Sequence, residues 1–183
     1  SRIGNNPIKI ADGVKVEFKH GVAKVTGPKG NLSKPYSEVI TPKLQDDTII
    51  LERENEDKKT KALHGLTRSL IANMVQGVSQ GFTKSLEIVG VGYKAEQAGK
   101  NIIKFSLGYS NPIDFELPDG VSAVVEERGT RITLSGIDKE VIGQTAAKMR
   151  QLRQPDAYKG KGVRYLGEQP RLKPGKAGVK TGV

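Results

Sequence analysis

The spacing of apolar residues in this chain changes from that of a strand to that of a helix, and the change occurs twice. In the first half, Val14, Val16 and Phe18 alternate with charged residues, which predicts a half-buried strand. From Asp57 to about Gln80 the apolar residues instead follow helical spacing. This predicted stripe consists of Leu63, Leu66, Leu70, Met74 and Val78, widened by Ile71 and Val75. Strands followed by one covering helix predict a small α+β domain.

The remaining strands of the first half are short and separated by turn residues. We expect strands at Val22–Thr26 and Thr48–Glu52, with a hairpin turn at Gly27-Pro28-Lys29-Gly30 after the first of them. The acidic residues between Glu52 and Asp57 have no spacing suited to metal ligation, so we interpret them as a solvated strand end. This arrangement completes a first domain over residues 1–81.

The second half repeats the plan, which predicts a duplicated domain over residues 82–154. Asp12-Gly13 corresponds to Asp119-Gly120, and His20-Gly21 corresponds to Arg128-Gly129, with a strand after each pair. The predicted stripe of the second helix contains Val141, Ile142, Thr145, Ala146, Met149 and Leu152. Further strands are expected at Leu86–Val91, Ile102–Leu107 and Ile113–Leu117. The alternative is that Asp-Gly turns recur by chance.

The positive charge of the chain is concentrated at one end. The formal net charge is +10, yet residues 84–147 carry seven basic and nine acidic side chains. Residues 148–183 carry ten basic and two acidic side chains. From Pro155 onward the chain is rich in Gly, Pro and Lys without helical or strand periodicity, which predicts an extended basic tail over residues 155–183. Such a distribution favours a polyanionic partner, with nucleic acid ahead of an acidic membrane surface.

The groups needed for catalysis or metal binding are scarce. The chain has no cysteine and two histidines, His20 in a turn and His64 on the first helix, where a surface or core-edge position is expected. Gly90-Val91-Gly92-Tyr93-Lys94 lacks the third glycine and the helix of a phosphate-binding turn, so a bulged strand is expected there. We therefore predict no enzymatic activity, no metal, no cofactor and no small-molecule substrate.

No stretch approaches the roughly 20 apolar residues that a membrane helix requires. The start at Ser1-Arg2-Ile3-Gly4 also lacks an apolar run of the signal-peptide type. A cytoplasmic protein without a membrane partner is therefore expected.

The segment from Pro155 to Tyr165 contains the residues best suited to RNA. Lysine and arginine suit phosphate oxygens, glycine lets the backbone approach a sugar-phosphate strand, and tyrosine can stack on an unpaired base or hydrogen-bond a 2′-hydroxyl. The candidate RNA-binding residues here are Tyr158, Lys159, Gly160, Lys161, Gly162, Arg164 and Tyr165. Lys148 and Arg150 on the second helix, with Arg171, Lys173, Lys176 and Lys180 in the tail, extend this candidate site.

Other interpretations of this segment predict different behaviour. A flexible solubilising tail would need neither the tyrosines nor this much glycine. A DNA-binding architectural protein would need a basic helix face suited to the major groove. A nucleotide-dependent enzyme would depend on Gly90–Lys94, and membrane-surface binding would require a basic amphipathic helix.

The same segment resembles the bacterial form of ribosomal protein six of the large subunit. The most specific match is Pro155-Asp156-Ala157-Tyr158-Lys159-Gly160-Lys161-Gly162-Val163, followed by Arg164-Tyr165. Weaker matches to the same family occur at Ser1-Arg2-Ile3-Gly4, Pro7-Ile8, Val25–Gly30 and Val89–Tyr93. The resemblance therefore extends almost from end to end.

This resemblance implies two similar α+β domains and direct binding to large-subunit ribosomal RNA, mainly through the C-terminal domain and tail. It also implies a cytoplasmic ribosomal location near the base of the stalk, with neighbouring ribosomal proteins and translation factors close by. The family has no catalytic activity and no required cofactor, which agrees with the residues of this chain.

Overall fold

The structure is a computed structural model, and it describes residues 2–176. The chain divides into two compact units. The first contains the residues up to Phe82 together with Gly136–Lys139, and the second contains Thr83–Ser135 with the residues from Glu140 onward.

The first unit has two three-stranded antiparallel sheets and one long helix. Its elements are β1 (Ile8–Lys9), β2 (Lys15–Lys19), β3 (Val22–Gly27), β4 (Gly30–Pro35), β5 (Ile40–Gln45), β6 (Thr48–Arg53) and α1 (Lys58–Ser79). The strand orders are β1-β6-β5 and β2-β3-β4. Helix α1 contacts both sheets and closes a core of Val, Ile, Leu and Met side chains, including Val25, Ile49 and Val78.

The second unit has the same plan with one strand more. Its elements are β7 (Phe82–Val89), β8 (Lys94–Gln97), β9 (Ile102–Ser106), β10 (Ile113–Glu116), β11 (Val121–Glu126), β12 (Arg131–Gly136), α2 (Lys139–Leu152) and β13 (Gly162–Tyr165). The strand orders are β8-β9-β10 and β11-β12-β7-β13. The order β1-β6-β5 thus recurs as β7-β12-β11, which confirms the prediction of two similar α+β domains.

The residue correspondence predicted from the Asp-Gly turns is wrong. Asp12-Gly13 precedes β2, whereas Asp119-Gly120 precedes β11, which by sheet order is the equivalent of β5. Gly13 and Gly120 both have positive φ, at 77° and 81°. A tight turn of this kind favours glycine whichever strands it joins, so the recurrence reflects turn chemistry and not equivalent positions.

The buried face of α1 also differs from the predicted leucine stripe. Leu66 is 54% exposed, whereas His64 is 1% exposed and lies in the interior with Thr60 and Thr67. His64 Nε2 donates to the carbonyl of Leu51 at 3.0 Å, and Nδ1 accepts from Arg53 at 3.2 Å. Because both ring nitrogens have partners, histidine can occupy the core, and the surface or core-edge position predicted for it is wrong.

Two glycine-containing segments were interpreted from the sequence, with different outcomes. Pro28-Lys29 forms the two-residue turn of the β3–β4 hairpin, as predicted. The segment from Gly90 to Tyr93 is a turn between β7 and β8, closed by the Tyr93 amide donating to the Gly90 carbonyl at 3.1 Å. It is therefore not the bulged strand that the sequence indicated.

The sequence predicted an extended tail after Pro155, but part of this segment is a paired strand. Gly162–Tyr165 form β13, which pairs antiparallel with β7, and Val163 is fully buried. A strand of four residues containing glycine and arginine has no periodicity of its own, so only its partner strand reveals it.

Candidate nucleic-acid interface

Strand β13 attaches the basic segment firmly to the second unit. Val163 lies opposite Ile88, and its amide donates to the carbonyl of Arg153 at 2.7 Å. Gly162 lies against the chain just after α2, where an added Cβ would come within 2.6 Å of the Gln154 carbonyl oxygen. The residues on either side of β13 are therefore held in place by backbone contacts.

Before β13, residues 156–161 form a closed turn that we call the basic loop. The Asp156 carboxylate accepts the amides of Tyr158 at 3.2 Å and Lys159 at 2.9 Å. The Asp156 carbonyl accepts the amide of Gly160, and its amide donates to the carbonyl of Lys161, both at 2.9 Å. The hydrogen bond from the Lys159 amide is the main reason that the pKa of Asp156 is lowered from its ordinary value.

The closed turn displays its polar side chains outward. Tyr158 is 59% exposed, Lys159 is exposed, and Lys161 is half-buried. Gly160 is buried, with Pro170 and Leu172 packed against it. Two lysines and a tyrosine on one short, closed loop can present fixed charge and a stacking surface together.

The chain returns beside the basic loop after β13. The Lys173 amide donates to the carbonyl of Ala157 at 2.7 Å. Arg171, Lys173 and Lys176 are all exposed on this returning segment. The structure therefore brings the returning segment, which carries the predicted Arg171 and Lys173, alongside the basic loop.

Two of the predicted cations have carboxylate partners within the chain. Arg150 Nε donates to Glu168 at 3.0 Å, and Arg164 Nε donates to Glu87 at 2.9 Å. The bond to Glu168 raises the pKa of Arg150 and, in return, the Arg150 guanidinium lowers the pKa of Glu168. Glu168 also accepts the Tyr165 amide at 3.0 Å. These pairs link α2, β7 and β13 within the second unit.

Tyr165 lies between two cations. The Lys84 ammonium is 4.2 Å from the centre of the Tyr165 ring, and the Arg150 guanidinium is 5.7 Å from it. Because the ring has these neighbours, it is less available to an RNA base than Tyr158.

The remaining predicted residues lie apart or outside the described residues. Lys148 is exposed on α2, in a shallow pocket with Pro118, Glu140 and Gln144. Lys180 lies outside the described residues.

Sequence reasoning missed one cation–aromatic pair beside the basic segment. The Arg153 guanidinium lies 4.8 Å from the centre of the Tyr109 ring, and the Tyr109 hydroxyl donates to the Leu152 carbonyl at 3.0 Å. Arg153 is adjacent to β13 because its carbonyl accepts the Val163 amide. Arg153 could have been selected from the sequence because it lies among the basic residues after position 147. No local pattern in the sequence indicates Tyr109.

Among residues 2–176 no cluster of histidine and acidic side chains is arranged to hold a metal ion. No helix in that part of the chain is long and apolar enough to cross a membrane.

The fold and the basic loop together define the class: a protein of two similar α+β units, with a group of exposed cations on the segment after the second helix. The family model described as Ribosomal protein L6 matches residues 10–81 and 89–166. The chain is 53% identical to large ribosomal subunit protein uL6 of Thermodesulfovibrio yellowstonii, over 98% of this chain and 99% of that one. It is 51% identical to the protein of the same name from Acidobacterium capsulatum, with the same coverage. The chain belongs to the ribosomal protein L6 family.

Proposed function

We propose that this protein is a structural constituent of the large ribosomal subunit that binds large-subunit ribosomal RNA directly through the basic loop and its flanking residues. The observation that carries the proposal is the loop itself, whose one acidic side chain bonds to the loop's own backbone while Tyr158 and Lys159 remain exposed. The similarity to large-subunit proteins over almost the whole chain supports large-subunit ribosomal RNA as the binding partner.

The candidate cations divide into two roles in this proposal. Lys159, Lys161, Arg171, Lys173 and Lys176 neutralise phosphates, and Tyr158 contacts a base or a 2′-hydroxyl. Arg150 and Arg164 hold the second helix and β13 in place through Glu168 and Glu87. Gly160 and Gly162 allow close packing of the chain, and Tyr165 supports the site from within the second unit. Lys148 and Lys180 extend the footprint along the RNA.

In this proposal, the charge of the site allows RNA helices to lie close together. RNA helices that lie close together repel each other, and cations held on a closed loop neutralise them without the entropic cost of ordering a free tail. The protein performs no catalysis in this account. It acts in the cytoplasmic ribosome near the factor-binding region at the stalk base, where the first unit meets neighbouring protein or RNA.

Binding of the full chain to a large-subunit ribosomal RNA transcript tests the proposal, with duplex DNA of equal length and an unrelated folded RNA as competitors. Selective retention of the ribosomal transcript is expected. Equal affinity for all three would reduce the interaction to nonspecific charge and contradict the proposal. Point substitutions are preferable to truncation after Gln154, because truncation would also remove β13 and its buried Val163.

A further inference from the structure

The two units differ at one edge of equivalent sheets. In the second unit, β13 covers the outer edge of β7, with Arg164 opposite Glu87 and their side chains joined by an ion pair of 2.9 Å. In the first unit, the equivalent of β7 is β1, which is the last strand of its sheet in the order β5-β6-β1. No strand of residues 2–176 pairs with the outer edge of β1.

The backbone of β1 presents hydrogen-bonding groups to that edge. Ile8 pairs with Ile49 of β6, and the Ile10 amide donates to the Asp47 carbonyl at 2.8 Å. Because the backbone groups of successive residues in a strand point to opposite sides, the amide and carbonyl of Lys9 face away from β6. Lys9 is an exposed residue, and no strand of residues 2–176 pairs with these groups.

A groove lies beside this edge, between β1 and α1. It has a volume of about 360 Å³, and its apolar wall is formed by Ile8, Ala11, Ala72 and Val75. The charged residues lining it are Lys9 and Arg68. An extended chain paired with β1 would place alternate side chains over this groove.

The register identifies the residue of β7 that corresponds to Lys9. Lys9 stands opposite Thr48, the first residue of β6. The Ile88 amide donates to the Thr130 carbonyl at 2.7 Å, so Glu87 stands opposite Arg131, the first residue of β12. The contact between the Ser85 and Thr133 hydroxyls agrees with this register. Lys9 therefore occupies the position of Glu87, and the sign of the charge at this edge is reversed.

We propose that the first unit binds an extended segment of another protein, which adds a strand to the outer edge of β1. By analogy with β13, whose Val163 is fully buried, the segment places an aliphatic residue toward the groove. It places an aspartate or glutamate opposite Lys9, where the second unit has Arg164 opposite Glu87. A groove with one apolar wall, beside backbone donors and acceptors that no strand of residues 2–176 pairs with, fits a polypeptide strand better than a nucleic acid. The proposal does not depend on RNA binding by the second unit.

A designed peptide provides the probe. It has the sequence of residues 160–167 of this chain with the substitution Arg164→Glu, and the unaltered sequence is its matched control. Fluorescence anisotropy of the labelled peptides measures binding to the full chain, and hydrogen exchange reports on the Lys9 amide. At a peptide concentration about ten times Kd, exchange of that amide is expected to slow about tenfold, and the acidic peptide is expected to bind more tightly than the control.

Two variants separate strand addition from simple charge attraction. Lys9→Pro removes the outward amide, which an edge strand tolerates, and is expected to abolish binding while thermal unfolding stays unchanged. Lys9→Glu is expected to reverse the preference between the two peptides. Full binding to the Lys9→Pro protein, or an unchanged exchange rate at Lys9, would overturn the proposal. Protection of the Lys9 amide by the ribosomal transcript but not by the acidic peptide would assign this edge to RNA and also overturn it.

Discussion

The Asp156 carboxylate accepts the backbone amide of Lys159 at 2.9 Å, in the middle of the most basic segment of the chain. The same carboxylate accepts the amide of Tyr158 at 3.2 Å. A negative charge beside an RNA phosphate is unfavourable, so its presence needs a structural reason. The reason is that these bonds close the basic loop and fix the direction in which Tyr158 and Lys159 point.

Substitution of Asp156 distinguishes its hydrogen bonds from its charge. Asp156→Ala is expected to weaken RNA binding about five- to tenfold, because the loop loses the two bonds that order it before binding. Asp156→Asn retains an oxygen acceptor and removes the charge, so it is expected to bind at least as tightly as the unaltered protein. Titration of both variants with the ribosomal transcript checks this. Equal losses in the two variants would mean that the charge itself contributes to binding.

The backbone at Gly162 is the most restrictive position around β13. Its φ is 149°, and an added Cβ would come within 2.6 Å of the Gln154 carbonyl oxygen. Gly162→Ala is therefore expected to lower the free energy of unfolding by about 2–4 kcal/mol, as measured by denaturant unfolding. Gly143→Ala on α2 is the matched control, since its Cβ meets nothing within 4 Å. That control is expected to raise stability by about 0.5–1 kcal/mol. Similar effects at both positions would contradict the packing described here.

The Arg150–Glu168 pair makes the free energy of unfolding depend on pH. The pKa of Glu168 is lowered in the folded protein, mainly by Arg150, so the unfolded chain binds the proton more readily. The stabilisation is therefore present above the ordinary pKa of glutamate, about 4.3, and disappears as the pH falls through the lowered value. Glu168→Gln is expected to cost about 1–2 kcal/mol at pH 7 and progressively less in acid, as measured by urea unfolding. A cost that stays constant down to pH 3 would contradict this role.

The interior position of His64 gives a prediction for the first unit. His64→Ala would remove the donor to the Leu51 carbonyl and one of the acceptors of Arg53, and it would create a cavity, so a loss of about 2–4 kcal/mol is expected. Leu66→Ala on the exposed side of α1 is expected to cost less than about 1 kcal/mol. Thermal unfolding of the two variants measures the difference. A larger loss of stability in Leu66→Ala than in His64→Ala would contradict this burial and support the leucine stripe predicted from the sequence.

The helices could be predicted from the sequence because their periodicity is local, whereas several strands could not. Strand β5 contains Pro42, which argues against a central strand, yet β5 lies at the edge of its sheet, where proline is tolerated. Strand β4 has the mixed sequence of Gly30–Pro35 and is also an edge strand. Their formation depends on the neighbouring strand more than on their own composition.

The candidate site was predictable in composition but not in the roles of its residues. Tyr158, Lys159 and Lys161 could be selected because cations, glycine and tyrosine alternate over a short segment. The pairing of Arg164 with Glu87 joins residues 77 positions apart, and no local pattern indicates it. The position of Asp156 under the loop is likewise a consequence of the turn conformation. Sequence therefore predicted which residues to consider, and the fold separates the exposed ones from those paired within the second unit.

The salt dependence of RNA binding tests the central claim most directly. The double variant Lys159→Gln/Lys161→Gln is compared with the full chain and with Lys58→Gln/Lys59→Gln, two exposed neighbours on α1. If the basic loop neutralises phosphates, the slope of log K against log salt concentration becomes less steep by about 1.4–1.8 in the first variant, and the control retains the full slope. Equal slopes for all three proteins would show that the basic loop is not where the chain binds RNA.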